Sequence, residues 1–509
     1  MKRNLPDIVA FVLAALAALS AASVADRVFE RIPHLEDEFA YLWQAHVIAQ
    51  GRAYVASPAE PDSFFVPFVI DHQGRRFGKY PPGWPAALSL GVRAHAAWAV
   101  NALLAGLSAW LVYRLGAKVA GPAVGLVAQA FAVASPMAVM LSGSLLAHTF
   151  SLFLTLAFSL AWLDLFLPDR GRPRPPPDWL LMAVAGLSLG LLGLTRPLTA
   201  VSVALPFTLH GVYLLLRDRS ARPKLAILAA IAAAMAALLP AWQALLTGDA
   251  WLNPYTLWWP YDKVGFGPGF GVTKTGHSWH LALLNTRFSL RAGLHDFLGW
   301  PYLSWLFLPA GLFSLRRKLA GWLVFGAFPA LVLVHMAYWV GAWVFGPRYY
   351  FESLPGLVVM SAAGAAWLGG WISENARRAR LRRPLVASLV LILLCLDVLF
   401  YLPARVGGMH GLYTISRLRT LPLEHAQLRR AVVFVHPSRW MDYGTLLSLT
   451  PPFRESDLFL LYSRGEQQDA RVALSFPDWQ IFHYYPDEPQ ALYRSPRRAD
   501  PPGSEADVD

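Results

Sequence analysis

Apolar runs long enough to cross a bilayer recur along most of this chain, and this feature limits its fold more than any other. A spanning helix needs about 20 consecutive, mainly apolar residues. Eleven candidate runs lie near 8–24, 86–115, 119–140, 145–167, 179–194, 198–216, 225–246, 297–315, 319–340, 354–371 and 385–402. Charged residues make up only 15% of the 509 positions, against about 25% in soluble proteins. The sequence therefore predicts an all-α polytopic membrane protein, which excludes a soluble enzyme and a disordered regulator.

The basic residues predict the orientation of the chain. The formal net charge of +12 is carried in short clusters between apolar runs, which is the positive-inside pattern and not a nucleic-acid-binding surface. The clusters predicted to be cytoplasmic contain Arg114 and Lys118; Arg170, Arg172 and Arg174; Arg217, Arg219, Arg222 and Lys224; Arg316, Arg317 and Lys318; and Arg377, Arg378, Arg380, Arg382 and Arg383. The short connections on the other side contain only Arg196 and Arg348. We therefore predict a cell-membrane (inner-membrane) protein with a cytoplasmic N-terminus.

An odd number of spans places the C-terminus outside, together with three long segments at 25–85, 247–296 and 403–509. The last of these loses the long apolar runs and has short alternating ones at 431–435, 458–462 and 471–476. Such runs predict a small α/β domain. We thus divide the chain into a transmembrane module at 1–403, an extracytoplasmic α/β domain at 404–494 and a tail at 495–509. The tail is rich in Pro, Asp and Glu and is expected to be disordered. The single cysteine, Cys395, excludes an intramolecular disulfide and hence a disulfide scaffold.

Three consecutive carboxylates, Glu36, Asp37 and Glu38, open an amphipathic stretch that ends at Gly51. Acidic residues in the first turn stabilise a helix through its dipole, so helix capping alone explains them. Because the stretch directly follows the first span, its side chains Phe39, Leu42, Trp43 and Val47 are also suited to the lipid interface. The carboxylates would then lie at the depth of a lipid-linked head group.

The rest of this outer segment predicts a β-hairpin followed by a lysine side chain. An Asp-His-Gln-Gly turn at 71–74 separates two β-prone runs, which predicts paired strands. Lys79 then precedes Tyr80 and two prolines at the start of the second span. It is either an interfacial anchor whose ammonium extends to the membrane surface or a phosphate contact.

Three further positions lie at the outer ends of spans. His148 opens the fourth span, where it is either a packing residue or a ligand. Arg196 and Arg348 break the positive-inside pattern, and arginine at a membrane boundary is costly unless it is solvated or paired. Two such exceptions on one face suggest an anion site, since a guanidinium makes bidentate bonds to phosphate. The alternative is pairing with Glu352 or with the three acids of the first segment.

Several motifs are absent from the sequence. There is no Gly-Lys-Ser/Thr phosphate loop, no Rossmann glycine turn and no His-Glu-x-x-His. There is also no Gly-x-Ser-x-Gly. Ionisable residues are nearly absent from the span centres, with Asp164 and Asp397 near span ends, which argues against an ion-coupled transporter.

Taken in order, these elements resemble the multi-spanning GT-C glycosyltransferases, and most of all the family of protein O-mannosyltransferases and bacterial aminoarabinose transferases (glycosyltransferase family 39). Asp37-Glu38 after the first span, with Tyr41 and Ala45, is similar to the Asp-Glu element of that family's first external loop. The run 79–83, Lys-Tyr-Pro-Pro-Gly, is similar to its Lys-Pro-Pro element, except that Tyr80 is inserted. The runs 194–197 and 348–350 resemble its later arginine positions. The resemblance covers roughly residues 8–402.

The resemblance implies transfer of a sugar from a polyprenyl-phosphate donor to a hydroxyl of a lipid or protein acceptor on the extracytoplasmic side. It implies a first-loop aspartate as base, which we assign to Asp37, with Glu38 as a second catalytic residue that is its neighbour or a metal contact. Direct displacement from the face opposite the phosphate would invert the anomeric configuration. The substrate-binding positions that we expect are Lys79, Tyr80, His148, Arg196, Arg348 and Tyr349. Some members of the family use a divalent metal ion. His34, Glu36, Asp37 and Glu38 offer ligand atoms but form no compelling ligand motif.

Two other functions remain open. One is a flippase or transporter of polyprenyl-linked sugars, and the other is an enzyme like the O-antigen polymerases or ligases. The carboxylates of the first loop favour the glycosyltransferase over both. The sequence names neither the sugar nor the acceptor.

Overall fold

The computed structural model describes residues 5–168, 176–342, 344–372, 376–449, 452–453 and 456–497. Helices dominate because a bilayer core offers no water to unpaired backbone groups, so an apolar segment satisfies them within itself. The α-helices are α1 (Leu5–Arg27), α2 (Glu36–Ala49), α3 (Gly83–Arg93), α4 (Ala99–Ala120), α5 (Pro122–Ala134), α6 (Pro136–Gly143), α7 (His148–Phe166), α8 (Asp178–Thr195), α9 (Pro197–Arg217), α10 (Ala221–Ala236), α11 (Leu238–Thr247), α12 (Tyr255–Trp258), α13 (Trp279–Asp296), α14 (Leu308–Ser314), α15 (Leu319–Phe325), α16 (Ala327–His335), α17 (Leu354–Leu368), α18 (Ala376–Leu396), α19 (Leu402–Gly407), α20 (Leu421–His425), α21 (Trp440–Gly444) and α22 (Glu466–Ala473).

Seven strands form two sheets. They are β1 (Val55–Ala56), β2 (Val69–His72), β3 (Arg75–Gly78), β4 (Ala431–Val435), β5 (Leu458–Tyr462), β6 (Gln480–Tyr484) and β7 (Leu492–Tyr493). The first sheet is antiparallel in the order β1-β3-β2. Gln73 and Gly74 join β2 to β3, both with positive φ, as a two-residue hairpin turn requires. The predicted hairpin is confirmed.

Eight helical segments of the described chain are long and apolar enough to cross a membrane. They are Leu5–Arg27, Ala99–Ala120, His148–Phe166, Asp178–Thr195, Pro197–Arg217, Ala221–Thr247, Arg348–Leu368 and Ala379–Glu424. Helices α5 and α6 make a ninth if the pair is one span, bent by 59°. The bend lies where Ser135 caps α6 and Pro136 occupies its first turn, since proline cannot continue the hydrogen-bond ladder of α5.

The expected count of eleven spans therefore differs from the structure in three places. The run at 86–115 is divided between α3 and α4. The run at 297–315 contains turns and only the short α14, since Gly299, Pro301 and Pro309 interrupt it. The run at 319–340 is the shorter apolar pair α15 and α16.

Helix α2 begins and ends close to its predicted limits. Its apolar face contacts protein and not the lipid interface that the sequence predicts. Phe39, Trp43 and Val47 are buried. Phe39 packs in a cluster with the C-terminal sheet, while Trp43 and Val47 pack on Val69 of β2. Protein contacts remove this surface from water as effectively as lipid does. They also fix the direction of the first turn of α2, which carries the carboxylates.

The C-terminal sheet has the order β5-β4-β6-β7, with the first three strands parallel. Two of the three predicted runs are strands with the predicted limits. The run at 471–476 is not a strand: it lies largely in α22, where Val472 and Phe476 pack in the same apolar cluster, as helical spacing allows. Strand β6 was missed. The boundaries of the predicted domains remain predictions, and most of the predicted tail and the basic cluster at 170–174 lie outside the described residues.

Candidate functional site

Asp37 lies in the first turn of α2 and contacts two other side chains of the predicted site. The hydroxyl of Tyr80 donates a hydrogen bond to Asp37 Oδ1. Arg348 Nη2 lies 3.5 Å from Asp37 Oδ2, and the two side chains are 16% and 25% exposed respectively. The carboxylate is thus partnered but accessible, which is the condition for contact with a substrate.

Glu38 has a different role, because both of its oxygens bind the backbone. Oε2 accepts from the N–H of His34 at 2.8 Å and of Leu35 at 3.0 Å, and Oε1 accepts from the N–H of Leu145 at 2.6 Å. The side chain is 2% exposed. Burial raises the pKa of Glu38 to about 7, and the backbone hydrogen bonds oppose this shift. Glu38 therefore joins the start of α2 to the segment before α7 and positions both.

Lys79 lies in an aromatic box and makes a buried ion pair. Its Nζ lies 3.5 Å from the ring centre of Phe68 and 3.5 Å from Asp262 Oδ2. Tyr255 and Trp259 complete the box, at 5.0 and 4.8 Å. Burial lowers the pKa of Lys79, and the charges of Asp262 and of the first-loop acids oppose this. The anchor interpretation is wrong, because the side chain is 4% exposed.

Asp262 was missed by the sequence analysis. It accepts hydrogen bonds at Oδ1 from the Tyr338 hydroxyl at 2.9 Å and from Trp339 Nε1 at 3.2 Å. It lies within the long segment 247–296, where no pattern marks it apart from the other charged residues. Only the fold brings it to Lys79.

Arg196 pairs with Glu352 and lies beside Tyr349. The distance from Arg196 Nη1 to Glu352 Oε1 is 2.5 Å, and the glutamate side chain is fully buried. The ring of Tyr349 lies 5.8 Å from the guanidinium carbon of Arg196 and 5.7 Å from that of Arg348. His335 stacks on the same ring at 5.3 Å. Tyr349 therefore separates the two arginines and keeps each near one carboxylate, as the pairing alternative of the sequence analysis anticipates.

His148 is the remaining predicted position. It is 5% exposed, and neither ring nitrogen has a hydrogen-bond partner. Helix α7, whose first residue is His148, packs against the segment Arg348–Ser353. An unpartnered buried polar group is costly, and both ring nitrogens of His148 are left without a partner. This is the arrangement in which an anion or a hydroxyl-rich ligand gains bonds that the protein leaves open.

The structure thus brings Asp37, Tyr80, Arg348, Tyr349, Arg196 and His148 to one place. Lys79 adjoins this group, with its Nζ 5.3 Å from the ring centre of Tyr80. Glu38 holds the start of α2 through its hydrogen bonds to the backbone. Glu36 precedes Asp37 in the first turn of α2. We call the six residues named first the arginine–aspartate site.

Three of the four first-segment groups that offer ligand atoms already have partners. Both oxygens of Glu38 accept backbone N–H groups. His34 Nδ1 faces the carbonyl oxygen of Ile32 at 3.0 Å. Asp37 already lies beside the guanidinium of Arg348, which would repel a second positive charge at the same carboxylate.

Comparisons with known proteins identify the fold. No protein-family model matches the sequence, and no curated protein matches it either. The crystal structure of ArnT from Cupriavidus metallidurans bound to undecaprenyl phosphate is similar over 91% of this chain and 87% of that one, with a TM-score of 0.58 and 13% identity. Its apo form is similar over 91% and 88%, with a TM-score of 0.57 and 14% identity.

A more distant similarity is to the Archaeoglobus fulgidus oligosaccharyltransferase tethered with an acceptor peptide. It has a TM-score of 0.51 and 13% identity, and covers 89% of this chain but only 64% of that protein. ArnT and the archaeal enzyme are both GT-C glycosyltransferases. The chain therefore has the GT-C fold, as the resemblance in the sequence predicts, and it is an integral membrane protein.

Proposed function

We propose that this protein is a membrane glycosyltransferase that moves a sugar from a polyprenyl-phosphate donor to an acceptor hydroxyl on the extracytoplasmic face. The observation that carries the proposal is the accessible contact between Arg348 and Asp37. In this proposal the guanidinium of Arg348 binds the donor phosphate and the carboxylate of Asp37 accepts the acceptor proton, and glycosyl transfer from a phosphate needs both functions. The similar ArnT structure holds undecaprenyl phosphate, which supports a donor of this class.

Each arginine of the site has a carboxylate partner that an incoming phosphate would replace. Arg348 bonds Asp37 and Arg196 bonds Glu352. The donor phosphate is a diester with one negative charge and two non-bridging oxygens, so it competes with a carboxylate for a guanidinium, and the polyprenyl phosphate that leaves gains a second charge. When the phosphate binds Arg348, Asp37 is released to accept a hydrogen bond from the acceptor. Donor binding would in this way activate the base.

In the transfer step, the acceptor oxygen forms a bond to the anomeric carbon as the bond from that carbon to the phosphate oxygen breaks. The bonding electrons remain on the leaving phosphate, whose charge Arg348 stabilises. The acceptor proton passes to Asp37, and later to water. Attack from the face opposite the phosphate inverts the anomeric configuration. One carboxylate suffices because a phosphate leaves without protonation, whereas glycosidases use two.

Tyr80 and His148 are proposed to orient the reactants. Tyr80 already donates to Asp37, which fixes the rotamer of the carboxylate. His148 offers two unpartnered ring nitrogens, which suit sugar hydroxyls or a phosphate oxygen. Lys79 contributes positive charge from its aromatic box, where its ammonium pairs with Asp262.

Gene deletion followed by mass spectrometry of envelope glycolipids and glycoproteins tests the function. We expect one sugar to be missing from one acceptor class, and restoration by the wild-type gene but not by Asp37→Asn. Asp26→Asn is the matched control, because Asp26 is a first-segment carboxylate that pairs with Arg31 away from this site. The same loss of sugar, with lipid-linked sugar accumulating on the cytoplasmic face, would indicate a flippase instead, and an unchanged set of glycoconjugates would contradict the proposed function.

A further inference from the structure

A second group of polar side chains lies in the C-terminal sheet, apart from the arginine–aspartate site. His436, Asp469 and His483 each offer a ligand atom, and these atoms all lie within 4.8 Å of one another. His436 Nε2 and His483 Nδ1 are 2.9 Å apart. Asp469 and His483 are 4% and 6% exposed, and His436 is half-buried. Two imidazoles and a carboxylate in one partly buried position are the donor set of a transition-metal site.

The position in the sheet is one where ligands commonly bind. His436 directly follows β4, His483 lies near the end of β6, and Asp469 belongs to α22, which follows β5. All three therefore lie at the carboxyl edge of the parallel strands. The chain passes from β4 to β5 on one side and then to β6 on the other, so β4 is the point where the strand order reverses. Crevices at such points are the usual binding sites of open α/β sheets.

Neighbouring groups hold the ligands in place. Asp469 Oδ2 accepts from the Ser463 hydroxyl at 2.6 Å, and Oδ1 accepts from the backbone N–H of Arg464 at 3.1 Å. Tyr485 stacks on the ring of His436 at 4.4 Å, with an angle of 10° between the planes. Hydrogen bonds to a ligating carboxylate and packing of a ligating ring are the features that orient metal ligands.

We propose that His436, Asp469 and His483 bind one divalent transition-metal ion, with zinc the expected occupant, and that water completes its coordination. The ligand spacing suits this ion: two nitrogens bound to tetrahedral zinc at about 2.0–2.1 Å lie roughly 3.3 Å apart, close to the observed histidine separation. Binding replaces the contact between the two rings. The ring nitrogen that carries the hydrogen in that contact must release it, so a proton leaves to solvent or moves to the other nitrogen of the ring.

The ion would join β4, β6 and α22 without taking part in glycosyl transfer. Because Phe39 of α2 packs against the same C-terminal part of the chain, stabilising this sheet also stabilises the support of Asp37. The proposal does not depend on the proposed function, since it rests on different residues and a different ligand.

The test uses full-length protein in detergent, with any affinity tag removed, loaded with zinc chloride and freed of excess metal. Elemental mass spectrometry should find about one zinc per chain. His436→Gln, Asp469→Asn and His483→Gln should each lose it. His280→Gln is the matched control, because His280 is exposed on α13 and should leave the zinc content unchanged. Cobalt substitution should give visible absorption bands in the wild type and the control only.

Ser463→Ala gives a readout independent of folding. It retains all three ligands but removes the hydrogen bond to Asp469, so zinc affinity should fall by about tenfold or more while thermal stability in chelator stays near that of the wild type. A wild-type protein without zinc after loading would overturn the proposal. Zinc retained in all three ligand variants would place the metal elsewhere and overturn it equally.

Discussion

The guanidinium of Arg348 lies 3.5 Å from the carboxylate of Asp37, which joins the start of the first long loop to the start of a helical segment in the last third of the chain. The contact explains two exceptions in the sequence together. An arginine that breaks the positive-inside pattern is tolerated because it is paired, and a first-turn acid faces an accessible site instead of only capping α2. In the proposed function, the donor phosphate replaces Asp37 as the partner of Arg348.

Removing the guanidinium should weaken donor binding. Arg348→Ala loses charge-assisted bonds of roughly 1.5–3 kcal/mol each, so affinity for a polyprenyl phosphate should fall by about tenfold or more. Arg348→Lys should recover only part of this, because lysine lacks the planar fork. Binding measured in detergent, with unfolding temperature as the folding control, checks the result. Unchanged affinity in a folded alanine variant would remove Arg348 from the site.

Asp37→Asn should separate chemistry from binding. The amide keeps the shape of the side chain but cannot take the acceptor proton, so turnover should fall by ~10² or more. Donor binding should be kept or improved, because the asparagine no longer competes with phosphate for Arg348. Turnover and donor affinity are measured on the same preparation. Turnover within a few-fold of the wild type would transfer the base to another carboxylate, with Glu36 the next to test.

Glu38 should make stability depend on pH. The pKa of its carboxyl is raised from 4.5 to about 7 by burial, so between these values the folded state keeps a proton that the unfolded state has released. The free energy of unfolding should therefore fall as pH rises through this interval and level off above about 7. Glu38→Gln should flatten this slope, because an amide does not titrate. It should lower stability above about pH 7, where the ionised carboxylate accepts from three backbone N–H groups and an amide has one acceptor oxygen.

Unfolding temperatures of the wild type and Glu38→Gln, measured from about pH 5 to pH 8, check this expectation. Glu60→Gln is the control, since Glu60 lies in a part-exposed hydrogen bond with Gln468. Equal slopes in Glu38→Gln and the wild type would show that Glu38 is not the titrating group.

The orientation of the chain is testable with single cysteines. We expect 170–178 to be cytoplasmic and 346–353 extracytoplasmic, because the first is basic and the second belongs to the face with few cations. Cysteines at positions 174 and 347, in a chain with Cys395→Ser, should be labelled from opposite sides by an impermeant reagent. Labelling of both from one side would contradict the topology and the extracytoplasmic location of the site.

The sequence alone determined the local features, because these depend on neighbouring residues. Apolar length predicts the spanning helices, and acids before an amphipathic run predict the start of α2. The Gln73-Gly74 turn predicts the hairpin, since its backbone needs positive φ. The same local reasoning failed at 297–315, where prolines interrupt an apolar run, and at 471–476, where a short apolar pattern is compatible with strand and helix alike.

Only the tertiary structure decided which charged groups meet. The sequence marked Asp37, Arg196 and Arg348 as candidates but left their partners open. The pairing of Arg196 with Glu352 and of Lys79 with Asp262 depends on how helices and loops far apart in the chain come together. The same holds for His436, Asp469 and His483, which no spacing motif connects. Coulomb interactions depend on distance in space and on burial, and a linear pattern contains neither.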